Sequence, residues 1–110
     1  MLARKYRLTK DSDFQKVFSR GKKAFSPYFL VRFQPNQLGN CRFAVVVANK
    51  IAKKAVIRNR LKRQVREAIY NNLSKFTQRL DIIVNILPAC LEKDSAVIEK
   101  ELVQVFKKIS

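Results

Sequence analysis

The amino-acid sequence predicts an α/β (α+β) fold, a two-layer sandwich in which helices pack on a small mixed sheet. Segments with helical periodicity and short apolar segments follow one another in the order αββαβα, and turn-forming residues separate them. Neither a linker nor an internal repeat interrupts this order. A chain of 110 residues is long enough for one hydrophobic core. Residues 1–110 are therefore interpreted as a single domain.

The first predicted helix covers residues 9–21. Polar residues that can cap a helix come first, and Phe14, Val17 and Phe18 follow at positions i, i+3 and i+4. Gly21 is expected to end the helix. One face of this helix should therefore be apolar and pack on the sheet.

Two strands separated by a turn are predicted next. Residues 26–33 (SPYFLVRF) combine aromatic and branched side chains with Pro27 near the start, where a missing N–H is tolerated. Residues 34–40 (QPNQLGN) are turn-forming types. Residues 41–48 (CRFAVVVA) form an almost continuous apolar run, which indicates a strand buried on both faces.

A third strand and a last helix are predicted towards the C-terminus. Residues 81–87 (DIIVNIL) have the composition of a core strand. Residues 94–110 have the periodicity of an amphipathic helix. Its apolar stripe consists of Ile98, Leu102, Val105 and Phe106.

Between the second and third strands, residues 53–70 (KKAVIRNRLKRQVREAIY) form a basic helical segment. It holds seven Lys or Arg residues and one acid, Glu67. At about 100° per residue, Leu61, Val65 and Ala68 lie within about 80° of Ile57 and form a core stripe. The face away from this stripe collects Ala55, Arg58, Asn59, Lys62, Arg63 and Arg66.

Charge gives the strongest indication of function. The formal net charge is +16, and fourteen Lys or Arg residues but no acid lie between Asp13 and Glu67. A merely solvated surface usually mixes signs, so this lopsided field is typical of a nucleic-acid binder, with an anionic membrane surface as a weaker alternative.

Other classes of protein fit the sequence less well. No apolar run approaches the roughly 18 residues of a membrane span, and no signal-peptide pattern is present, so a cytoplasmic protein without membrane association is expected. Cys41 and Cys90 form no C-x-x-C pair, and the chain has no histidine. Two reduced, buried thiols are therefore expected rather than a zinc site.

The basic segment resembles the RNR motif of the bacterial ribonuclease P protein subunit. The similar residues are Arg58-Asn59-Arg60, followed by Lys62-Arg63 and Arg66-Glu67 and preceded by Lys54-Ala55. The resemblance continues in LTKDSDFQKVFSRGKK, SPYFLVRF, RFAVVVANK and DIIVNILPA, and so covers nearly the whole chain. One departure is Ala44, Val46 and Ala48, where many members of the family carry glycine and serine.

This resemblance implies both a fold detail and an activity. The family has a left-handed βαβ crossover, against the usual right-handed rule. Its members join a catalytic RNA to make a magnesium-dependent endonuclease that removes the 5′ leader from precursor tRNA. The RNA performs the hydrolysis and binds most of the Mg²⁺, so no catalytic or metal-binding protein residue is expected. The implied partners are this RNA and precursor tRNA, without an obligatory protein partner.

The resemblance also implies two binding surfaces. The first surface would bind the RNA subunit and consists of Lys53, Lys54, Arg58, Asn59, Arg60, Lys62, Arg63 and Arg66. The second surface, a cleft between the first helix and the sheet, would bind the single-stranded leader and consists of Phe14, Lys16, Phe18, Tyr28 and Arg32. Strand alternation would place Tyr28, Leu30 and Arg32 on one face. In the helix, a phenylalanine pair at positions i and i+4, such as Phe14 and Phe18, belongs to a core more often than to a binding surface.

Two other functions remain as alternatives. A stand-alone protein nuclease usually needs histidine or clustered carboxylates, and the eight acids form no such cluster in the sequence. A purely structural RNA-binding protein, such as a ribosomal one, has a similar composition. Only the RNR motif and the expected leader cleft argue against this second alternative.

Overall fold

The computed structural model describes residues 3–76 and 78–109. The described residues contain the α-helices α1 (Asp11–Arg20), α2 (Ala55–Asn71) and α3 (Ser95–Lys107). They also contain the strands β1 (Lys22–Phe25), β2 (Phe29–Pro35), β3 (Arg42–Val46) and β4 (Leu80–Ile86). Short 3-10 turns cover Arg4–Tyr6, Leu73–Lys75 and Pro88–Cys90. The order αβββαβα thus contains every predicted element and one additional strand, β1.

The four strands form one mixed sheet in the order β1-β2-β4-β3. The pairs β1–β2 and β2–β4 are antiparallel, whereas β3 and β4 are parallel and joined through α2. The predicted mixed sheet and the three helices are confirmed.

The additional strand β1 forms a hairpin with β2. The turn between them is held by the Ser26 hydroxyl, which accepts hydrogen bonds from the backbone N–H groups of Tyr28 (3.2 Å) and Phe29 (3.1 Å). Ser26 and Tyr28 therefore lie in the turn, and the prediction that the strand begins at residue 26 was wrong. Ser26 favours this local turn because its side chain can accept backbone hydrogen bonds that a strand would use in its ladder.

The sheet is covered on both faces. Adjacent residues of β4 point to opposite faces, and Ile82 packs in the larger core cluster with residues of α2 and α3, whereas Ile83 packs in a second cluster with Val17 of α1. The two predicted layers are the sheet and the helices α2 and α3 that pack on one of its faces. The helix α1 covers part of the other face. The strand that is buried along almost its whole length is β4.

The strand β3 lies at the edge of the sheet, and its apolar run indicated burial on both faces. Phe43 and Ala44 are buried, but Val45 and Val46 are only half-buried. On its outer side the backbone N–H of Leu8 donates to the carbonyl of Phe43 at 2.8 Å. The apolar run therefore reflects packing on both faces of an edge strand rather than a central position.

The amphipathic stripes of the helices are confirmed. Leu61, Val65 and Ala68 of α2 are buried, as are the four predicted residues of α3. Gln64, which interrupts the α2 stripe, donates from Nε2 to the hydroxyl of Ser95 at 3.2 Å and so ties α2 to the start of α3. None of the helices formed by residues 3–76 and 78–109 combines the length and the apolar composition that a membrane span requires.

Candidate nucleic-acid interface

The solvent side of α2 carries most of the predicted RNA-subunit residues. Burial of Leu61 and Val65 turns the opposite side of the helix outwards. Lys53 and Lys54 are exposed just before the helix begins. The exposed site residues within the helix are Asn59, Arg60, Arg63 and Arg66. Three guanidinium groups and one amide thus share this solvent side of α2.

Arg58 differs from the other predicted contacts. Its Nη1 donates to the backbone carbonyls of Ala52 (2.8 Å) and Lys53 (2.7 Å), and the residue is half-buried. The helical wheel places Arg58 on the charged face, but its side chain turns back onto the segment that enters α2. Arg58 therefore fixes the start of the basic helix.

Two further cations lie at the margins of the α2 surface. Arg60 is exposed, and its Nη2 donates to the carbonyl of Leu91 at 3.1 Å, which ties α2 to the residue that follows the 3-10 turn Pro88–Cys90. Lys62 is half-buried on the helix. The open part of the charged face is consequently narrower than the helical wheel predicts.

A groove of about 560 Å³ connects the basic helix with α1 across the edge of the sheet. It is lined by Arg7, Leu8, Thr9, Phe14, Phe43, Ala44, Val45, Val46, Arg63, Arg66 and Glu67. Phe14 belongs to the predicted leader surface, whereas Arg63 and Arg66 belong to the predicted RNA-subunit surface. The structure thus brings parts of both surfaces together around one groove.

One helical turn after Phe14, α1 presents an aromatic ring beside a cation. The guanidinium carbon of Arg32 lies 4.9 Å from the centre of the Phe18 ring, and Phe18 is 50% exposed. Lys16 on the same helix is exposed, and Phe14 is half-buried against the second core cluster. A stacking surface with cations near it is an arrangement that suits single-stranded nucleic acid.

Tyr28 does not align with the rest of the predicted leader surface. The strand β2 begins at Phe29, so the alternation expected for Tyr28, Leu30 and Arg32 does not extend to Tyr28. Its side chain packs against the larger core cluster, whereas Phe14 packs against the second cluster. Strand periodicity cannot place a residue that precedes the strand.

Sequence reasoning missed one row of the sheet beside α1. The register places Phe25, Leu30, Asn85 and Val46 opposite one another on four neighbouring strands, on the face that carries Arg32. Phe25 is exposed and the other three are half-buried. The polar Asn85 within an apolar strand was the available signal.

The described acids serve structural roles at several positions. Arg42 forms ion pairs with Asp81 at 2.7 Å and with Asp13 at 3.2 Å, and Asp94 accepts a hydrogen bond from the backbone N–H of Val97 at the start of α3. Among residues 3–76 and 78–109, no group of three or more His, Cys, Asp or Glu side chains could hold a metal ion. The side chains of this interface can neutralise charge, stack on aromatic rings and form hydrogen bonds.

Known proteins that are similar to this chain belong to one family. The model of the ribonuclease P family matches residues 2–110. The ribonuclease P protein component of Idiomarina loihiensis is 36% identical over 108 residues, which are 97% of this chain and 86% of that protein.

Solved structures of ribonuclease P proteins have the same fold. The protein from Thermotoga maritima superimposes with a TM-score of 0.87 at 31% identity, covering 94% of this chain and 97% of that chain. The protein from Staphylococcus aureus gives a TM-score of 0.87 at 28% identity, covering 96% of this chain and 95% of that chain. The match of sequence and fold over nearly the whole length places this chain in the ribonuclease P protein family, the protein component of an endoribonuclease that processes the 5′ end of tRNA.

Proposed function

We propose that this chain binds the catalytic RNA of ribonuclease P through α2 and the single-stranded 5′ leader of precursor tRNA through the cleft between α1 and the sheet. The observation that carries the proposal is the groove that brings Phe14 of α1 and Arg63 and Arg66 of α2 together. A leader held against α1 would thereby lie close to RNA held by α2.

The contact with the catalytic RNA is electrostatic. Each Lys or Arg that neutralises a phosphate releases counterions, so affinity falls steeply with salt. The proposed contact residues are Lys53, Lys54, Asn59, Arg60, Lys62, Arg63 and Arg66, with Arg58 positioning the start of the helix. Asn59 adds a side chain that can both donate to and accept from a sugar or a base.

The contact with the leader relies on stacking. Phe18 is exposed beside Arg32, and aromatic rings stack on any base, which suits a leader of variable sequence. Phe14, Lys16 and Arg32 complete the proposed surface. Tyr28 remains part of the proposal through its resemblance to the family, although its packing against the larger cluster favours a supporting position.

Hydrolysis is proposed to take place on the RNA. Among the described residues no group of three or more His, Cys, Asp or Glu side chains comes together, so nothing there favours a Mg²⁺ ion held by protein groups alone. Magnesium is instead assigned to RNA phosphates, whose close approach the cations of α2 would favour. We further propose that residues 1–110 act as a single domain in the cytoplasm without an obligatory protein partner.

Reconstitution tests this function. A 5′-labelled precursor tRNA is incubated at low magnesium with a bacterial ribonuclease P RNA, with and without this protein. The expected result is cleavage at the mature 5′ end that requires both components. Cleavage by the protein alone would support a protein nuclease, and an absence of any effect of the protein would contradict the proposal.

Matched variants locate the RNA surface. Arg66→Glu should raise the protein concentration needed for cleavage and flatten its salt dependence. Lys100→Glu is the control, because Lys100 is exposed on α3 and lies outside the proposed surface. Equal effects of the two changes would show that only the net charge matters.

A further inference from the structure

Asn85 is the only polar residue of its row on the sheet. It lies in β4 directly opposite Leu30 of β2 and Val46 of β3, and Phe25 of β1 completes the row. Side chains opposite one another on neighbouring strands share a face. An amide is thus surrounded by apolar neighbours within this row.

The side-chain nitrogen of Asn85 lacks a hydrogen-bond partner among the described residues. This Nδ2 atom is shielded from solvent, and Asn85 itself is half-buried. Leaving a shielded N–H group unpaired costs free energy that a leucine at this position would avoid. The amide at this position therefore has no compensating partner among the described residues, and its hydrogen-bonding capacity is open to a bound ligand.

The row of Asn85 also lies beside the part of the sheet that α1 covers. Val17 of α1 packs with Ile83, two residues before Asn85, and Phe18 lies against Arg32, two residues after Leu30. Beyond these contacts Leu30, Asn85 and Val46 are only half-buried. The row consequently forms the floor of the cleft next to the exposed Phe18 ring.

We propose that Asn85 determines specificity in the leader cleft by hydrogen bonding to the edge of one nucleobase of the single-stranded leader. This inference rests on the proposed leader binding and deepens it. A base that stacks near Phe18 would direct its polar edge towards the floor, where Asn85 supplies the hydrogen-bonding group. The χ2 torsion of Asn is broad, so the amide can turn towards that base, and the edges of single-stranded bases offer both donors and acceptors.

A thermodynamic cycle tests the proposal in the reconstituted holoenzyme. One leader nucleotide at a time is replaced by an abasic nucleotide, and the affinity of each precursor tRNA is measured with the unchanged protein and with Asn85→Leu. At one leader position, loss of the base should weaken binding to the unchanged protein by about three- to tenfold more than binding to the variant. All other positions should respond equally in the two proteins.

Two further variants separate recognition from packing. Val46→Ala trims the same row but keeps the amide, so it should retain the position-specific effect. Asn85→Ala repeats the cycle without adding a larger apolar side chain. The thermal midpoint of Asn85→Leu should equal or exceed that of the unchanged protein, because the unpaired N–H is removed.

The outcomes distinguish this inference from the proposed function. A uniform loss of affinity at every leader position, or a lower thermal midpoint with no position-specific effect, would identify a packing role for Asn85 and overturn the inference. If removal of the whole leader leaves the affinity of the unchanged protein unaltered, the proposed leader binding itself fails.

Discussion

Arg42 and Asp81 form a two-point ion pair across the neighbouring strands β3 and β4. Nε lies 2.9 Å from Oδ1, and Nη2 lies 2.7 Å from Oδ2. Asp13 of α1 approaches the same guanidinium at 3.2 Å, and Asn36 donates to Asp81 at 2.8 Å. The hydrogen bonding that Arg42 donates to Asp81 raises the pKa of Arg42. This cation therefore joins α1 to the sheet, unlike the open cations of α2.

Removal of the Arg42 guanidinium should destabilise the fold. Arg42→Met is expected to lower the free energy of unfolding by about 3 kcal/mol, because it leaves the buried carboxylate of Asp81 without its cation. Asp13→Asn removes only the outer pair and should cost less than about 1 kcal/mol. Urea denaturation at neutral pH measures both variants. Equal losses would contradict the central position of Asp81.

Glycine should be required at position 21 because a Cβ atom would not fit there, and not because of an unusual backbone conformation. Its φ of −74° is open to any residue. A Cβ atom would, however, collide with the carbonyl oxygen of Val17 and lie 2.8 Å from that of Phe33. Gly21→Ala is therefore expected to cost about 1–3 kcal/mol of stability in urea denaturation.

Gly39 provides the matched control for this prediction. A Cβ atom added there meets no other atom within 4 Å. Gly39→Ala should change the free energy of unfolding by less than about 0.5 kcal/mol. A similar cost at both glycines would show that the close approach at Gly21 is not the cause.

Elements with a continuous pattern could be predicted from the sequence, whereas β1 could not. The stripes of α2 and α3 and the apolar run of β4 are local signals, and each lies where expected. The strand β1 has only four residues, two of them lysines, and pairs on one side only. Its formation depends on the hairpin with β2, which a local apolar pattern does not reveal.

The site was predictable in its residue types and less so in its arrangement. A helical wheel gives the direction of a Cβ atom, but Arg58 is long enough to turn back to backbone carbonyls before the helix. The location of Asn85 beside Leu30 and Val46 depends on the register of three strands. Such register follows from pairing between distant segments.

Arg58 and Arg66 should respond differently to truncation. Arg58→Ala removes two hydrogen bonds at the entrance to α2 and should lower the free energy of unfolding by about 1–2 kcal/mol. Arg66 is exposed, so Arg66→Ala should change the free energy of unfolding by less than about 0.5 kcal/mol. The variant should bind ribonuclease P RNA more weakly, and the slope of log affinity against log salt concentration should decrease in magnitude by about 1. Filter binding at several salt concentrations and urea denaturation provide the two measurements. Loss of RNA affinity in Arg58→Ala without loss of stability would contradict the positioning role.

Stability should decrease at alkaline pH through Cys90. Both cysteines are free and buried, as predicted, and burial raises the pKa of the Cys90 thiol to about 11. The unfolded chain loses this proton near pH 8.5, at about the ordinary thiol pKa. Since the folded state then binds more protons, the free energy of unfolding should fall as pH rises from about 8.5 to about 11.

The variant Cys90→Ala isolates this contribution. Lysines and tyrosines titrate in the same range, so the difference between the two proteins is the informative quantity. The unchanged protein should lose more stability than Cys90→Ala between pH 8 and pH 11, as measured by urea denaturation at each pH. Parallel pH profiles would show that the folded and unfolded thiols titrate together.

Phe18 and Tyr28 should separate leader binding from support of the fold. Phe18 is 50% exposed, so Phe18→Ala should change the free energy of unfolding little. The variant should bind precursor tRNA about tenfold more weakly relative to mature tRNA, because base stacking is lost. Tyr28 packs against the larger core cluster, so Tyr28→Ala should lower the free energy of unfolding and affect both RNAs equally. Affinities of the holoenzyme for the two tRNAs, together with thermal unfolding of each variant, decide between these expectations. A selective loss of precursor tRNA in Tyr28→Ala with unchanged stability would instead place Tyr28 in direct contact with the leader.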